Sequence, residues 1–419
     1  MKHDSKATTS PVSRRRFIQS VSVASASVGL VRAVGAAEKK PIFGLERVPD
    51  EPDAHAGWKS VSDRKIRVGL IGHGLCGMAA SFGFEQHPNV EVVAVSDLFP
   101  DRCEALAKHV KCGNMYSSGE EMIKHVKDNK LDAICIATDP PSHVPLSILA
   151  LDHGLHVSCC VPAVFGSLDD ADKLMGAVKR SGLKYMMMET SAYYKGNHAM
   201  RKLYQADALG RVLYTEGEYW HYSAGPMESY NGWRLAPPPM WYPTHSNAYY
   251  ICVTGGTFTE VSCMGVPSHI KMWMPKNNRY NNAFATEIAL FRTNEGGMAR
   301  MSVGYDAPGM DENVGRIRGE KGAYNGRFEG DAYFGKYEGL VKDNDLPSFK
   351  RPPLPPTVHA GGHDGSEGYL MDEFITAILQ DRKPLVDIAM SLNLTVSGIV
   401  AHQSALKDGE LLKIPQYKL

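Results

Sequence analysis

From residue 65 the chain alternates short apolar runs with amphipathic stretches. Ile66-Arg67-Val68-Gly69-Leu70-Ile71 is strand-like and stops at Gly72, and a helical stretch begins near Gly77. A strand at 90–96 follows, then a helix from 101, a helix near 118–128 and a strand at 133–137. A further helix around 144–153 feeds a strand at 156–160, and a helix over 168–179 feeds a strand at 184–188. Strands alternating with helices in this way predict a parallel sheet covered on both faces. The expected first domain, 65–190, is therefore a doubly wound α/β unit of Rossmann type.

The texture changes after Gly210. Segments 212–222, 260–264, 286–292 and 298–305 read as strands, the last alternating Ala299, Met301 and Val303 against Arg300 and Ser302. Few helical stretches separate them, which predicts an α+β domain over 191–385 with a largely antiparallel sheet and one solvated face. Residues 342–368, rich in Pro and Gly, read as a long loop. A helix with Leu370, Met371, Phe374, Ile375 and Ile378 on one face follows, and another runs from about 390 to 407 before Gly409, within a C-terminal segment 386–419.

Length and composition suit this division. At 419 residues, 43% hydrophobic and 22% charged, the chain is too long for one ordinary domain and apolar enough to build two. Its start differs in kind: Ser13-Arg14-Arg15-Arg16-Phe17-Ile18 precedes a mild apolar run, 21–34, ending in small residues through Ala37. That order predicts an export signal over 1–37, and the paired arginines before Phe17 point to the twin-arginine route and a periplasmic or otherwise exported protein. Residues 38–64 lack apolar periodicity and read as an extended lead-in. The 46 basic residues equal the 46 acidic ones, and removing 1–37 leaves about 40 against 45. Such a balance offers nucleic acid no electrostatic footprint. No later apolar run reaches membrane-spanning length. The eight cysteines show no CxxC and no zinc-like spacing, so no metal is assigned, and several sit in apolar runs that favour buried thiols over bridges.

Gly72-His73-Gly74-Leu75-Cys76-Gly77 has the GxGxxG spacing, directly after a strand and at the opening of a helix. Gly72 permits the tight turn, Gly74 lets a pyrophosphate approach the backbone, and Gly77 lets helix and strand pack closely. The helix start then presents free N–H groups to the phosphates. Asp97 ends the second strand, about twenty residues past the last glycine, where a carboxylate binds ribose hydroxyls and repels a 2′-phosphate; NAD is expected rather than NADP.

With these landmarks the layout resembles the Gfo/Idh/MocA family over most of the chain after residue 64. The resemblance also rests on Ile136-Ala137-Thr138-Asp139-Pro140-Pro141-Ser142-His143 and on Gly154-Leu155-His156-Val157 leading to Pro162. That family usually reads Glu-Lys-Pro at the last segment, its lysine standing by the nicotinamide. This chain has Cys160-Val161-Pro162, so Cys160 replaces the acid and the lysine is absent. Val161-Pro162-Ala163 looks like the form in the NAD-dependent α-N-acetylgalactosaminidase-like glycoside hydrolases. So do Met186-Met187-Met188-Glu189-Thr190-Ser191-Ala192-Tyr193 and Tyr242-Pro243-Thr244-His245, although Ser246-Asn247-Ala248 replaces the glycine-rich continuation. The resemblance implies Thr138, His143, Cys160 and Pro162 beside the cofactor, and Tyr193, Tyr242 and His245 around sugar and nicotinamide.

The residue types agree with this independently. Taking a hydride from a sugar carbinol requires a base for the hydroxyl proton, and a His, or a Tyr held near a cation, can serve. Tyr242 and His245 are three apart on a Pro-containing loop; the alternative is a structural histidine among core aromatics. Trp220, His221, Trp233, Arg234 and Trp241 lead into that loop and read either as a sugar platform or as buried aromatics. His359, Gly361, Gly362, His363 and Asp364 form a second polar group, lining the site or making a solvated turn. The expected function is hydride-transfer chemistry on a carbohydrate or glycoside, as a redox-neutral glycoside hydrolase in which Tyr242 and His245 handle protons and Tyr193 positions the sugar. The alternatives are an exported sugar oxidoreductase with net oxidation, and a non-catalytic sugar-binding protein. A homo-oligomer is compatible with each.

Overall fold

The computed structural model describes residues 44–419 apart from 224, 226–227, 310–311 and 331–346; the expected export signal and the start of the lead-in lie outside the described residues. The first half runs β1 (Ile66–Ile71), α1 (Met78–Ser81), β2 (Val90–Ser96), α2 (Pro100–Val110), β3 (Met115–Tyr116), α3 (Gly119–Lys124), α4 (Val126–Asn129), β4 (Ala133–Ile136), α5 (Pro140–Asp152), β5 (His156–Cys159), α6 (Leu168–Ser181) and β6 (Tyr185–Met187). All six strands pair in parallel, in the order β3-β2-β1-β4-β5-β6. Their near-continuous apolar sequences follow from burial on both faces; β4 is buried at every position. Local signals set the helix ends. In α6 the Ser167 hydroxyl accepts from the Asp170 N–H, Asp169 and Asp170 occupy the first turn, Lys179 and Arg180 the last, and Gly182 closes it in the left-handed region. The helix expected after the glycine loop is the single turn α1, ended at Gly83 with φ 69°.

The second half runs α7 (Lys195–Gln205), β7 (Val212–Trp220), α8 (Thr244–Thr254), β8 (Phe258–Pro267), β9 (Phe284–Thr293), β10 (Met298–Gly304), β11 (Glu312–Gly319), β12 (Gly322–Tyr324), β13 (Phe328–Gly330), α9 (Glu367–Leu379), α10 (Ile388–Ala405) and β14 (Leu412–Lys413). Its eight strands are ordered β13-β12-β11-β7-β10-β9-β8-β14, antiparallel except for the central pair β7–β10. Alternation is clean in β9, where Ala289 and Phe291 are buried while Ile288 and Leu290 are exposed on the open face. The buried face is covered by α8 and α10, and α10 also touches α6 and β6 of the parallel sheet. Among the described residues no helix is long and apolar enough to cross a membrane.

Two helices, α7 and α8, stand where the sequence suggested few. In α8 the residues Thr244 to Val253 are all buried, so no polar face marks a helical period. The Tyr-Pro-Thr-His segment is accordingly not a loop: its last two residues open α8. What seats α8 is Gly217 of β7, where a Cβ would stand 2.1 Å from the Ser246 carbonyl oxygen. A Gly217→Ala variant is expected to lose about 1–3 kcal/mol through overpacking. Urea denaturation measures this, and an unchanged midpoint would mean that α8 has slack against β7.

Candidate active site

Because β1 lies between β2 and β4, the sheet order reverses there and opens a crevice at the strands' C-terminal ends. Gly72 follows β1 at φ 91°, and a Cβ on it would meet the Ala137 carbonyl oxygen at 2.6 Å. Gly74, at φ 63°, faces open space. Buried Asp97 ties this loop down: Oδ2 accepts the N–H groups of His73 (2.9 Å) and Gly74 (3.0 Å), and Oδ1 accepts that of Phe99 (2.9 Å). A carboxylate has about four acceptor sites, so one is left for a ribose hydroxyl. Among the described residues, the N–H groups of Leu75 and Cys76 donate to no protein acceptor. Free amides beside an unfilled glycine fit a dinucleotide pyrophosphate.

The crevice's far wall is held by His143. It is fully buried, with Nδ1 2.9 Å from the Pro162 carbonyl oxygen and Nε2 3.2 Å from that of Thr138, and burial depresses its basicity. His143, expected beside the cofactor, is sealed behind the crevice wall, where it braces Thr138 and Pro162. Cys160, also buried, is a neutral thiol. Burial pushes its pKa well up, with Cys135, Cys159 and Glu367 adding to the effect, so it does not take over the proton chemistry of a carboxylate.

Glu189, just past β6, is the centre of the second cluster. Its side chain is 0% exposed, and Oε1 lies 2.8 Å from His245 Nδ1 in the first turn of α8. The same oxygen accepts the Ser191 N–H at 2.8 Å. Burial alone raises the Glu189 carboxyl; the charge and hydrogen bond of His245 outweigh it and hold the pKa below the ordinary value. With Nδ1 donating to a carboxylate, His245 keeps Nε2 as its acceptor nitrogen. Tyr219 of β7 packs on His245 at 4.7 Å between ring centres, and Tyr242 at 5.5 Å. Tyr242 also lies within electrostatic reach of Cys160 and of Cys76 in the glycine loop. Burial raises the Tyr242 hydroxyl, opposed by Arg234, so at neutral pH it is a phenol that donates a proton or a hydrogen bond. The turn that carries it is fixed from below: Glu287 Oε1 pairs with His402 Nδ1 at 2.6 Å, and its Oε2 accepts the Met240 N–H at 2.7 Å.

A pocket opens beside this dyad, lined by Tyr219, His221, Trp233, Arg234, Tyr242 and Tyr305. Of the five expected platform residues, His221, Trp233 and Arg234 line it. Trp220 does not: strand alternation turns it to the opposite face of β7, where its indole N–H donates to Glu218. Trp241 is packed away against Phe165, Tyr280 and His402. Tyr193 is not brought to His245 either. Its ring lies between His198 and Tyr369, beneath Arg201, and burial raises its hydroxyl. The turn at Thr190–Tyr193 instead leaves the next residue, Tyr194, within electrostatic reach of Glu189. In the 359–364 group, His363 Nδ1 pairs with Glu367 (2.8 Å), Asp364 accepts the Lys195 N–H (2.8 Å), and His359 pairs with Asp50 (3.1 Å) at the surface. Asp364 and the neighbouring Glu367 both act through their charge on Tyr194, and Glu367 acts on Cys160 as well. Glu189, Tyr194, Tyr219 and Tyr305 were not singled out from the sequence. A lone acid closing a Met-rich strand was the available signal for Glu189, and the alternation of Gly217, Tyr219 and His221 for Tyr219.

Residues 66–189 match the model of an oxidoreductase family with an NAD-binding Rossmann fold, Gfo/Idh/MocA. The match spans the parallel-sheet domain and ends with it. Among curated relatives, a glycosyl hydrolase family 109 protein from Bacteroides fragilis is 32% identical over 177 residues, which is 41% of this chain and 38% of that protein. The chain thus aligns with less than two fifths of that relative's length. A family 109 protein from Streptomyces niveus aligns over 84% of this chain and 77% of its own length at 24% identity. The fold recurs in a levoglucosan dehydrogenase crystallised with NADH, with a TM-score of 0.68, 19% identity and coverage of 84% of this chain and 100% of that one. It recurs again in the aldose-aldose oxidoreductase of Caulobacter crescentus, with a TM-score of 0.65, 18% identity and the same coverage.

Because Asp97 shapes the glycine loop and keeps an acceptor site free, Asp97→Ala should weaken NAD binding roughly 10–100-fold without gaining NADP. Calorimetric titration with both nucleotides checks this, and a switch to NADP would refute the structural half of the role. The Glu189–His245 pair carries a pH signature. The Glu189 carboxyl lies lower in the folded chain than in the unfolded one, so its contribution is complete above the unfolded value, about pH 4.3, and is lost as pH falls through the folded value. The gap in Tm between wild type and Glu189→Gln should be widest near neutral pH and narrow below about pH 4. A gap independent of pH would show that the carboxylate's charge is not what the variant removes.

Proposed function

We propose that this protein is an NAD-dependent, redox-neutral glycoside hydrolase. The observation that carries the reading is the Glu189–His245 dyad with Tyr242, set beside an aromatic pocket and within reach of the glycine loop, in a chain whose family lysine is replaced by Val161. The family 109 names of the relatives support it, and so does an exported location, proposed from residues 1–37: outside the cytoplasm no pool exists to recycle a released cofactor. Bound NAD supplies a reversible hydride acceptor. His245 Nε2 takes the proton of the sugar hydroxyl being oxidised, and Glu189 stabilises the charge that forms on the imidazole. The resulting ketone acidifies the neighbouring C–H. Loss of that proton to solvent expels the glycosidic oxygen, to which Tyr242, held as a phenol, can donate. Water then adds, the hydride returns, and the net change is hydrolysis. No pair of carboxylates flanking the glycosidic oxygen is needed.

A second reading, net oxidation of a sugar, is favoured by the fold neighbours, which are named as dehydrogenases and an aldose-aldose oxidoreductase. Turnover in heavy water without added NAD separates the two. Hydrolysis should place solvent deuterium on the carbon beside the transient ketone, while a ketosugar accumulating with stoichiometric NADH would establish the oxidoreductase. His245→Ala and Tyr242→Phe should each cut turnover roughly 10²–10⁴-fold while NAD stays bound. Unimpaired activity in both would move the proton chemistry elsewhere.

A further inference from the structure

The dyad uses no cation, yet a guanidinium stands in the same cavity. Arg234 lies over the Trp233 ring at 4.3 Å and lines the pocket with Tyr219, Tyr242 and Tyr305. Its charge acts on the hydroxyls of all three tyrosines. Among the described residues, that guanidinium has no carboxylate partner and makes no hydrogen bond; it lies on the ring face of Trp233. Several other arginines of this domain pair with acids, Arg300 and Arg316 with Glu216, Arg351 with Glu51 and Arg382 with Glu373 among them, while Arg201 and Arg279 donate to backbone carbonyls. The buried carboxylates around the pocket are not available to Arg234. Glu189 is engaged by His245, and Glu287 by His402 and the Met240 N–H. A half-buried cation without a counter-ion is a demand for one, and a planar fork of N–H donors meets an oxyanion best.

We infer that this pocket recognises an anionic sugar, one carrying a carboxylate or a sulfate group, with the sugar ring beside Tyr242 and the anion on Arg234. The Trp233 and Tyr242 rings lie 6.4 Å apart at 26°, and Tyr242 continues to His245, so a sugar held this way reaches the dyad with its uncharged carbons. This names the substrate class of the site proposed above and rests on that reading. Arg234 is then a specificity residue: it selects by charge and takes no part in moving protons.

The test is binding, followed by tryptophan fluorescence because Trp233 lies directly under the guanidinium. The purified protein with its nucleotide is titrated at pH 7 with matched sets: glucose, glucuronate and glucose 6-sulfate, then galactose, galacturonate and galactose 6-sulfate. At least one anionic sugar should bind roughly 10–100-fold tighter than its neutral parent. Arg234→Met should erase that preference, and Arg234→Lys should restore part of it. Preference for the uronate or for the sulfate decides which anion the fork takes. Anionic sugars binding no better than their parents in the wild type, or a preference that survives in Arg234→Met, would overturn the inference. The readout is separate from the heavy-water result: charge preference without deuterium incorporation keeps this inference and removes the redox route.

Discussion

A carboxylate sealed from water must be met by a proton donor, and Glu189 imposes that demand at the end of β6. Burying it unpaired would cost several kcal/mol, and removing the partner of such a pair typically costs about 3–5 kcal/mol. His245 answers from α8, which approaches closely enough only because Gly217 has no side chain beneath the Ser246 carbonyl. The Ser191 N–H shares the charge, and Asn313 Nδ2 donates to the Ser191 hydroxyl at 2.8 Å. The last strand of the parallel sheet and the first helix turn of the antiparallel domain are thereby locked into one arrangement. The group that forces the packing is also the group that orients the imidazole.

The same solution recurs around the cavity. Glu287 with His402 holds the backbone under Tyr242, and Glu367 with His363 and the Gly362 N–H holds the loop before α9. Each is a buried acid given one histidine and one backbone amide. Together they fix the backbone behind the pocket with satisfied buried charges, which makes the elements that carry its lining rigid.

The architecture was legible because its signals are local. Apolar runs of four to seven residues mark β1, β2, β4 and β5, and β2 falls at 90–96 as the pattern indicates. The glycine loop and Asp97 were legible for the same reason. What escaped is what depends on three-dimensional neighbours. Helix α8 is buried all round and has no period to read. Tyr193 and Tyr194 are adjacent in the chain, and only the tight turn ending at Tyr193 decides that the second lies within reach of the Glu189 charge. His143 looks chemical in sequence, but its two carbonyl partners come from the ends of two different strands. Trp220 and His221 are neighbours that alternation sends to opposite faces of one sheet. Residue type identified the chemistry available; pairing across the fold decided which residues perform it.

Asp97 shows what such pairing means for a dinucleotide. Its carboxylate already collects the amides of His73 and Gly74, so the glycine loop has its shape before any ligand arrives. A loop that is rigid when empty loses little freedom on being filled, and contact energy that would otherwise be spent on ordering is kept as affinity. Gains of that kind are felt chiefly in the rate of departure. The expected result is a long residence time, in which the nucleotide behaves less as a substrate that visits than as a part of the protein.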